Sequence, residues 1–173
     1  VLEDYVADAA LVAVLEGELI GRAKQFEIRP ITDAAAWTTF ARLKALDWAE
    51  GQDRKGREPE EGVGRSMAER TEAKSPPVRF WLGYIDGVAR GFLSSWEGTE
   101  RVGQVEDLFV EEAFRHRGLA TALLHHCVAD CRAQGAGPVV IVSDPTDTPK
   151  TMYAAMGWRP VGVKHSYRKT IAS

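Results

Sequence analysis

The chain has 173 residues, 45% of them apolar and 27% charged, a composition that suits a globular chain long enough for one domain with a real core. Disorder and a collagen repeat are excluded, and two cysteines are too few for a disulfide scaffold. With 22 Lys and Arg against 25 Asp and Glu, the net charge of −3 gives no overall basic field for nucleic acid or anionic lipid, so any anion site must be local.

The first residue is Val1, so the chain is expected to start inside a longer product or after processing. Residues 1–25 are expected to form an N-terminal extension. Within it, LVAVLEGELIGRA at 11–23 alternates as a strand, turns on Glu16-Gly17 and resumes as a second strand. The same grammar recurs at 82–93, LGYIDGVARGFL, so the extension is expected to be an extra hairpin or the remnant of a preceding half. The main domain is expected over 26–173.

Residues 26–31 alternate as a strand, and Thr32 or Asp33 then caps a helix over 34–49 with Trp37, Phe40, Leu43, Leu46 and Ala49 on one face. From 50 to 74, seven acids and six bases mix with glycine, which predicts a loop leading into a short helix near 63–73 that Ser75-Pro76-Pro77 ends. Strands follow over 78–85 and 88–96, joined by Asp86-Gly87, and another over 104–110. Residues 118–134 read as an amphipathic helix with Leu119, Leu123, Cys127, Val128 and Cys131 inward, closed by Gly135. The run Val139-Val140-Ile141-Val142 suits a central strand covered on both faces, residues 149–156 a short helix stopped by Gly157, and 158–167 a last strand. Because strand and helix alternate only in the second half, the fold class is α+β, a central mixed sheet flanked by helices with its parallel portion there. No window approaches the roughly 20 apolar residues of a membrane helix, so no membrane partner and a cytoplasmic location are expected.

Cys127 and Cys131 lie four apart in a helical pattern that also holds His125 and His126. Consecutive helix positions spread around the cylinder and cannot converge on one zinc ion, so no metal is expected and both thiols read as core.

The richest stretch is Glu106-Asp107-Leu108-Phe109-Val110, then a turn with Arg115, His116, Arg117 and Gly118, and a helix starting with Leu119-Ala120-Thr121. A strand that feeds a helix through such a turn presents unpaired backbone N–H groups and a positive dipole end, the combination that attracts phosphate. It has neither the GK[ST] ending nor the GxGxxG of other phosphate loops. The six residues Arg115-His116-Arg117-Gly118-Leu119-Ala120 resemble the acetyl-CoA motif Q/R-x-x-G-x-G/A of the GNAT superfamily of N-acetyltransferases. Tyr153-Ala154-Ala155-Met156-Gly157-Trp158 is similar to that family's Y-x-x-x-G-F signature, with Trp in the Phe place.

The resemblance, over about residues 26–170, implies a GNAT fold with a partly splayed sheet and acetyl-CoA as co-substrate. It implies that Leu108, Phe109 and Val110 run along the pantetheine arm, with the Val110 N–H toward the thioester oxygen. Arg115, His116, Arg117, Gly118, Leu119, Ala120 and Thr121 would hold the pyrophosphate, and Tyr153 would protonate the leaving thiolate. Glu106 is the first choice of base for the amine and Asp107 the second, the two pointing to opposite faces of the strand. The stretch 144–149 lacks an Asn that the family often keeps there. The implied partner is a small-molecule or peptide amine, attacked directly in a ternary complex, and dimers are frequent in the family. A non-catalytic acyl-CoA sensor on the same fold is the alternative. The acceptor side is expected from the first helix, the 50–74 loop with Glu60 and Glu61, and Trp81 and Trp96.

Overall fold

Asp86 and Gly87 both adopt left-handed backbone, with φ of 52° and 75°. A two-residue type I′ turn requires such angles at both positions. In the computed structural model, which describes residues 5–60, 62–144 and 149–169, this turn joins strand β3 (Arg79–Ile85) to β4 (Val88–Glu97). The other strands are β1 (Tyr5–Leu15), β2 (Glu27–Pro30), β5 (Gly103–Val110), β6 (Val139–Ser143) and β7 (Arg159–Lys169). Helices α1 (Ala34–Asp53), α2 (Val63–Glu72), α3 (Leu119–Ala133) and α4 (Pro149–Ala155) complete the fold. The strands form one mixed sheet in the order β2-β3-β4-β5-β6-β1-β7, in which β5 and β6 are the parallel pair.

Alternation along the strands divides the core into two layers. On one face Phe40 and Leu43 of α1 and Ala68 of α2 pack on Phe80, Leu82, Phe92 and Phe109. Asp33 starts α1 as its N-cap, accepting the Ala36 N–H at 2.8 Å. The sequence-predicted inward face of α1 holds at Phe40 and Leu43, but Leu46 is 43% exposed and Lys44 is buried in its stead.

On the other face, α3 sits on glycines. A Cβ at Gly83 would lie 2.8 Å from Leu119 Cδ1, and one at Gly103 would lie 2.9 Å from Cys131 Cβ. Gly91 permits a different close approach, since its Cβ would meet the Phe109 carbonyl oxygen at 2.6 Å. The sheet is thus bare where the helix starts and ends, and α3 is held there by a buried polar set as well. Asp130 accepts from Arg79 Nε at 2.7 Å and from Ser95 Oγ at 2.6 Å, while Ser95 accepts from Trp81 Nε1 at 2.9 Å.

The extension departs from expectation. Instead of a hairpin over 11–23, one strand, β1, runs to Leu15 between β6 and β7, antiparallel to both. Gly17 has no positive φ, so the turn that a hairpin needs does not form. The chain leaves the sheet instead: Arg132 donates to the Gly17 carbonyl and pairs with Glu18, and the Ile20 N–H donates to Met156 C=O at 2.9 Å. Two neighbouring strands already satisfy both edges of β1, which leaves no edge for a returning strand. Among the described residues, no helix is long and apolar enough to cross a membrane.

Two glycines separate packing from conformation. Gly91→Ala is expected to cost about 1–3 kcal/mol, because the new methyl meets backbone. Gly87→Asn, with open space around it and a left-handed φ that Asn accepts, is expected to cost less than about 1 kcal/mol. Urea unfolding of both variants checks the contrast.

Candidate active site

Strands β5 and β6 pair only from Gly103–Val139 to Val105–Ile141. Past that point β5 keeps β4 alone, while Val142 and Ser143 of β6 pair with β1. One edge of β5 is therefore left without a β6 partner from Glu106 to Val110, and the sheet opens as a wedge. The Glu111 N–H donates to Arg90 C=O at 2.9 Å, which sets the phase of the strand. By alternation, the N–H groups of Leu108 and Val110 point to the open edge.

The wedge leads to the turn before α3. His116 and Gly118 have φ of 60° and 102°, and the first bond of the helix runs from the Ala122 N–H to Gly118 C=O at 3.0 Å. Among the described residues no backbone acceptor takes the N–H groups of Leu119, Ala120 and Thr121, the donors that a helix N-terminus offers to an anion. The Leu119 side chain itself is core, at 1% exposed. Arg115 turns inward: its Nε donates to Val110 C=O at 3.0 Å and its Nη2 to Glu50 at 2.5 Å, tying the turn to α1. Arg117 lies over the Phe114 ring, with Arg90 against the same ring. His116 and Arg117 are exposed. The structure thus brings 108–110 and 115–121 together along one opening.

At its inner end the strand is irregular. Phe92 pairs with Phe109 and Ser94 with Glu106, so Leu93 alone spans Asp107 and Leu108, and Asp107 sits at a φ of 64°. This bulge changes the expected geometry, because the extra residue breaks the alternation. Glu106 and Asp107 do not point to opposite faces; both line one cavity of about 210 Å³ with Lys74, Val78, Phe80, Ser94 and Trp96. Asp107 is held there by Lys44, whose Nζ lies 3.3 Å from its carboxylate and 3.0 Å from that of Asp47. The two carboxylates outweigh burial and hold the ammonium above its usual range. Burial, with the neighbouring Asp107, pushes the Glu106 carboxyl up, against the pull of Lys74, Lys44 and Lys164.

Other expected residues are distributed differently. Trp96 lines the cavity, but Trp81 faces α3, against the His126 ring at 4.3 Å between centroids. Glu60 is exposed and Glu61 lies outside the described residues, as does most of the 144–149 stretch. Tyr153 on α4 is 6% exposed and edge-on to Trp158, within the core layer beneath α3. Cys127 and Cys131 are free and buried; burial drives the first thiol well up and the second to about 11, so neither supplies a thiolate at neutral pH. Among the described residues no group of His, Cys, Asp or Glu is arranged to hold a metal. Lys44 and Lys74 escaped the sequence reading. Lys44 carries a local signal, an acid three residues on, but its burial depends on the distant Asp107.

The family model described as Acetyltransferase (GNAT) family matches residues 37–158. Among solved structures, the chain is similar to a functionally unknown conserved protein from Staphylococcus epidermidis (16% identity, TM-score 0.72, covering 96% of this chain and 64% of that one). A GCN5-related N-acetyltransferase from Kribbella flavida matches at 15% identity and TM-score 0.66, over 98% of this chain and 61% of that one. AAC(6')-Iy in complex with the bisubstrate analogue CoA-S-monomethyl-acetylneamine matches at 19% identity and TM-score 0.65, over 86% of this chain and 100% of that one. At these identities the likeness is one of fold, and the chain spans under two thirds of the first two structures. No curated protein matches the sequence significantly.

Lys44→Met leaves two carboxylates facing each other without their shared cation, and removing one member of a buried ion pair is expected to cost about 3 kcal/mol. Asp107→Gly is expected to cost less than Asp107→Ala, because glycine accepts the left-handed φ that alanine resists. Chemical denaturation of the three variants measures both effects.

Proposed function

The chain belongs to the acetyltransferase (GNAT) family, and from that premise we propose that it is an acyltransferase that moves an acetyl group from acetyl-CoA to a primary amine by direct attack in a ternary complex. The observation that carries this reading is the opening of the sheet past Val105 and Ile141, which ends on the unpaired N–H groups at the start of α3. An extended strand edge followed by an anion-binding helix terminus suits a ligand that has an amide-bearing arm and a pyrophosphate. AAC(6')-Iy, a neighbour in fold, is itself held with a CoA-containing analogue.

Bound acetyl-CoA would supply an activated acetyl group and a good leaving thiolate. Its pyrophosphate would be held by the backbone of residues 115–121 and its pantetheine arm by the edge of Leu108, Phe109 and Val110. The Val110 N–H is the donor assigned to the carbonyl oxygen on which charge develops. The amine arrives protonated, and Glu106 is the group assigned to take its proton, directly or through water. A carboxyl raised above its ordinary range by burial is better matched to an amine than an unperturbed one. The leaving sulfur needs a proton, and the Tyr153 phenol is the assigned donor. The high thiol pKa values of Cys127 and Cys131 favour direct attack over an acyl-enzyme route.

Acetyl-CoA is expected to raise the melting temperature, and Gly118→Asp to abolish the rise, because a side chain at a φ of 102° strains the turn and a carboxylate repels phosphate. Equal melting curves with and without acetyl-CoA would remove the basis for the proposal. Glu106→Gln is expected to lower kcat/KM about 100-fold while leaving the melting shift intact. For the wild type, kcat/KM is expected to rise with pH along a limb above the usual carboxylate value of 4.5, since the base must first lose a proton that burial makes it keep. The variant should lack that limb. Tyr153→Phe is expected to lower kcat about tenfold with little change in the KM for acetyl-CoA.

A further inference from the structure

The cavity that holds Glu106 carries an unusual balance of charge for a site that receives an amine. Its lining is Phe80, Val78 and Trp96 on the apolar side, Ser94 between, and Glu106, Asp107 and Lys74 as the charged groups. Asp107 is not available to a ligand cation, because Lys44 already holds it at 3.3 Å. Lys44 is itself saturated by Asp107 and Asp47. What remains is one carboxyl, Glu106, and the exposed Lys74, which has no ion-pair partner among the described residues. Lys164 of β7 exerts a weaker pull on Glu106 and does not line the cavity. Among the described residues, Asp107 opposes the ionisation of Glu106, and Lys74, Lys44 and Lys164 favour it.

Resting on the acetyl-transfer reading, we propose that the acceptor is a small monoamine bearing a carboxylate next to its amino group and an apolar or aromatic body. The amino group would meet Glu106, the carboxylate would meet Lys74, and the body would lie on Trp96 and Phe80. A polycationic acceptor is disfavoured by charge. A second ammonium would meet Lys74 in the cavity wall, and like charges in a partly buried site repel. The cavity, at about 210 Å³, lies below the ~300–1,000 Å³ that drug-sized ligands occupy, which suits an acceptor of amino-acid size.

The test uses the whole chain saturated with CoA or acetyl-CoA and four probes: phenylalanine, leucine, phenethylamine and spermidine. Phenethylamine is phenylalanine without its carboxylate. Two readouts run together, free-thiol release with acetyl-CoA and the acceptor-induced melting shift with CoA. The expected result is that at least one of the two amino acids is acetylated, with kcat/KM about tenfold or more above that of phenethylamine and of spermidine. Lys74→Glu should lower kcat/KM for the amino acid by about tenfold, mainly through KM, and raise that for phenethylamine, while Lys74→Arg restores the wild-type order. Lys74 is exposed, so these variants should unfold like the wild type. A wild type that prefers phenethylamine or spermidine overturns the proposal, as does a Lys74→Glu variant with an unchanged preference. Thiol release or a shift with neither amino acid, in a protein that acetyl-CoA does stabilise, overturns it too and leaves the acetyl-transfer reading standing. A protein that acetyl-CoA does not stabilise removes the acetyl-transfer reading itself.

Discussion

The parting of two parallel strands after Val105 and Ile141 is the constraint on which the rest of this structure depends. A backbone edge that no strand covers must satisfy its N–H and C=O groups elsewhere, with water or with an extended ligand. The wedge stays open because each flank is held from outside. On one flank β4 pairs with β5 on both sides of the bulge at Asp107, and Arg115 ties the end of β5 to α1 through Val110 and Glu50. On the other, β1 draws the end of β6 away by pairing with Val142 and Ser143.

The bulge at Asp107 adds the second element of the site. One extra residue in β5 turns two consecutive carboxylates to the same face, an arrangement that regular alternation forbids. Two acids at such a distance raise each other's cost of ionisation unless a cation intervenes. Lys44 intervenes at Asp107, while burial, with Asp107 beside it, gives Glu106 a carboxyl that holds its proton longer than usual. Distinct roles for adjacent, chemically similar residues thus come from backbone geometry and one buried ammonium.

The N-terminal strand ties these features to a part of the chain outside the span of the family model. Beyond Leu15 the chain runs past the end of α4 to the turn before α3. The Ile20 N–H caps the end of α4 at Met156, and the Lys24 side chain passes 3.4 Å from where a Cβ would stand on Gly118. The strand that separates β6 from β7 is therefore continuous with the segment that crosses the turn before α3.

Much of this was legible in the sequence because it depends on local physics. The Asp86-Gly87 turn, the Asp33 cap, the inward stripe of α3 and the turn before Leu119 all follow from backbone angles, helical period and unpaired donors within a few residues of one another. The resemblance to a known family added the expected fold and the cofactor that it implies. The fate of 11–23 was not legible, since a run of alternating residues does not say whether it will pair with itself or be taken between two distant strands. Leu46 on the surface, Lys44 in the core and Trp81 beneath α3 were hidden for the same reason. By itself the sequence determined most of the elements, with their caps and turns, among them the turn before Leu119. Only the tertiary structure decided which charges neutralise one another and where the sheet opens, because both depend on groups that meet across more than 60 residues of chain, as Lys44 and Asp107 do.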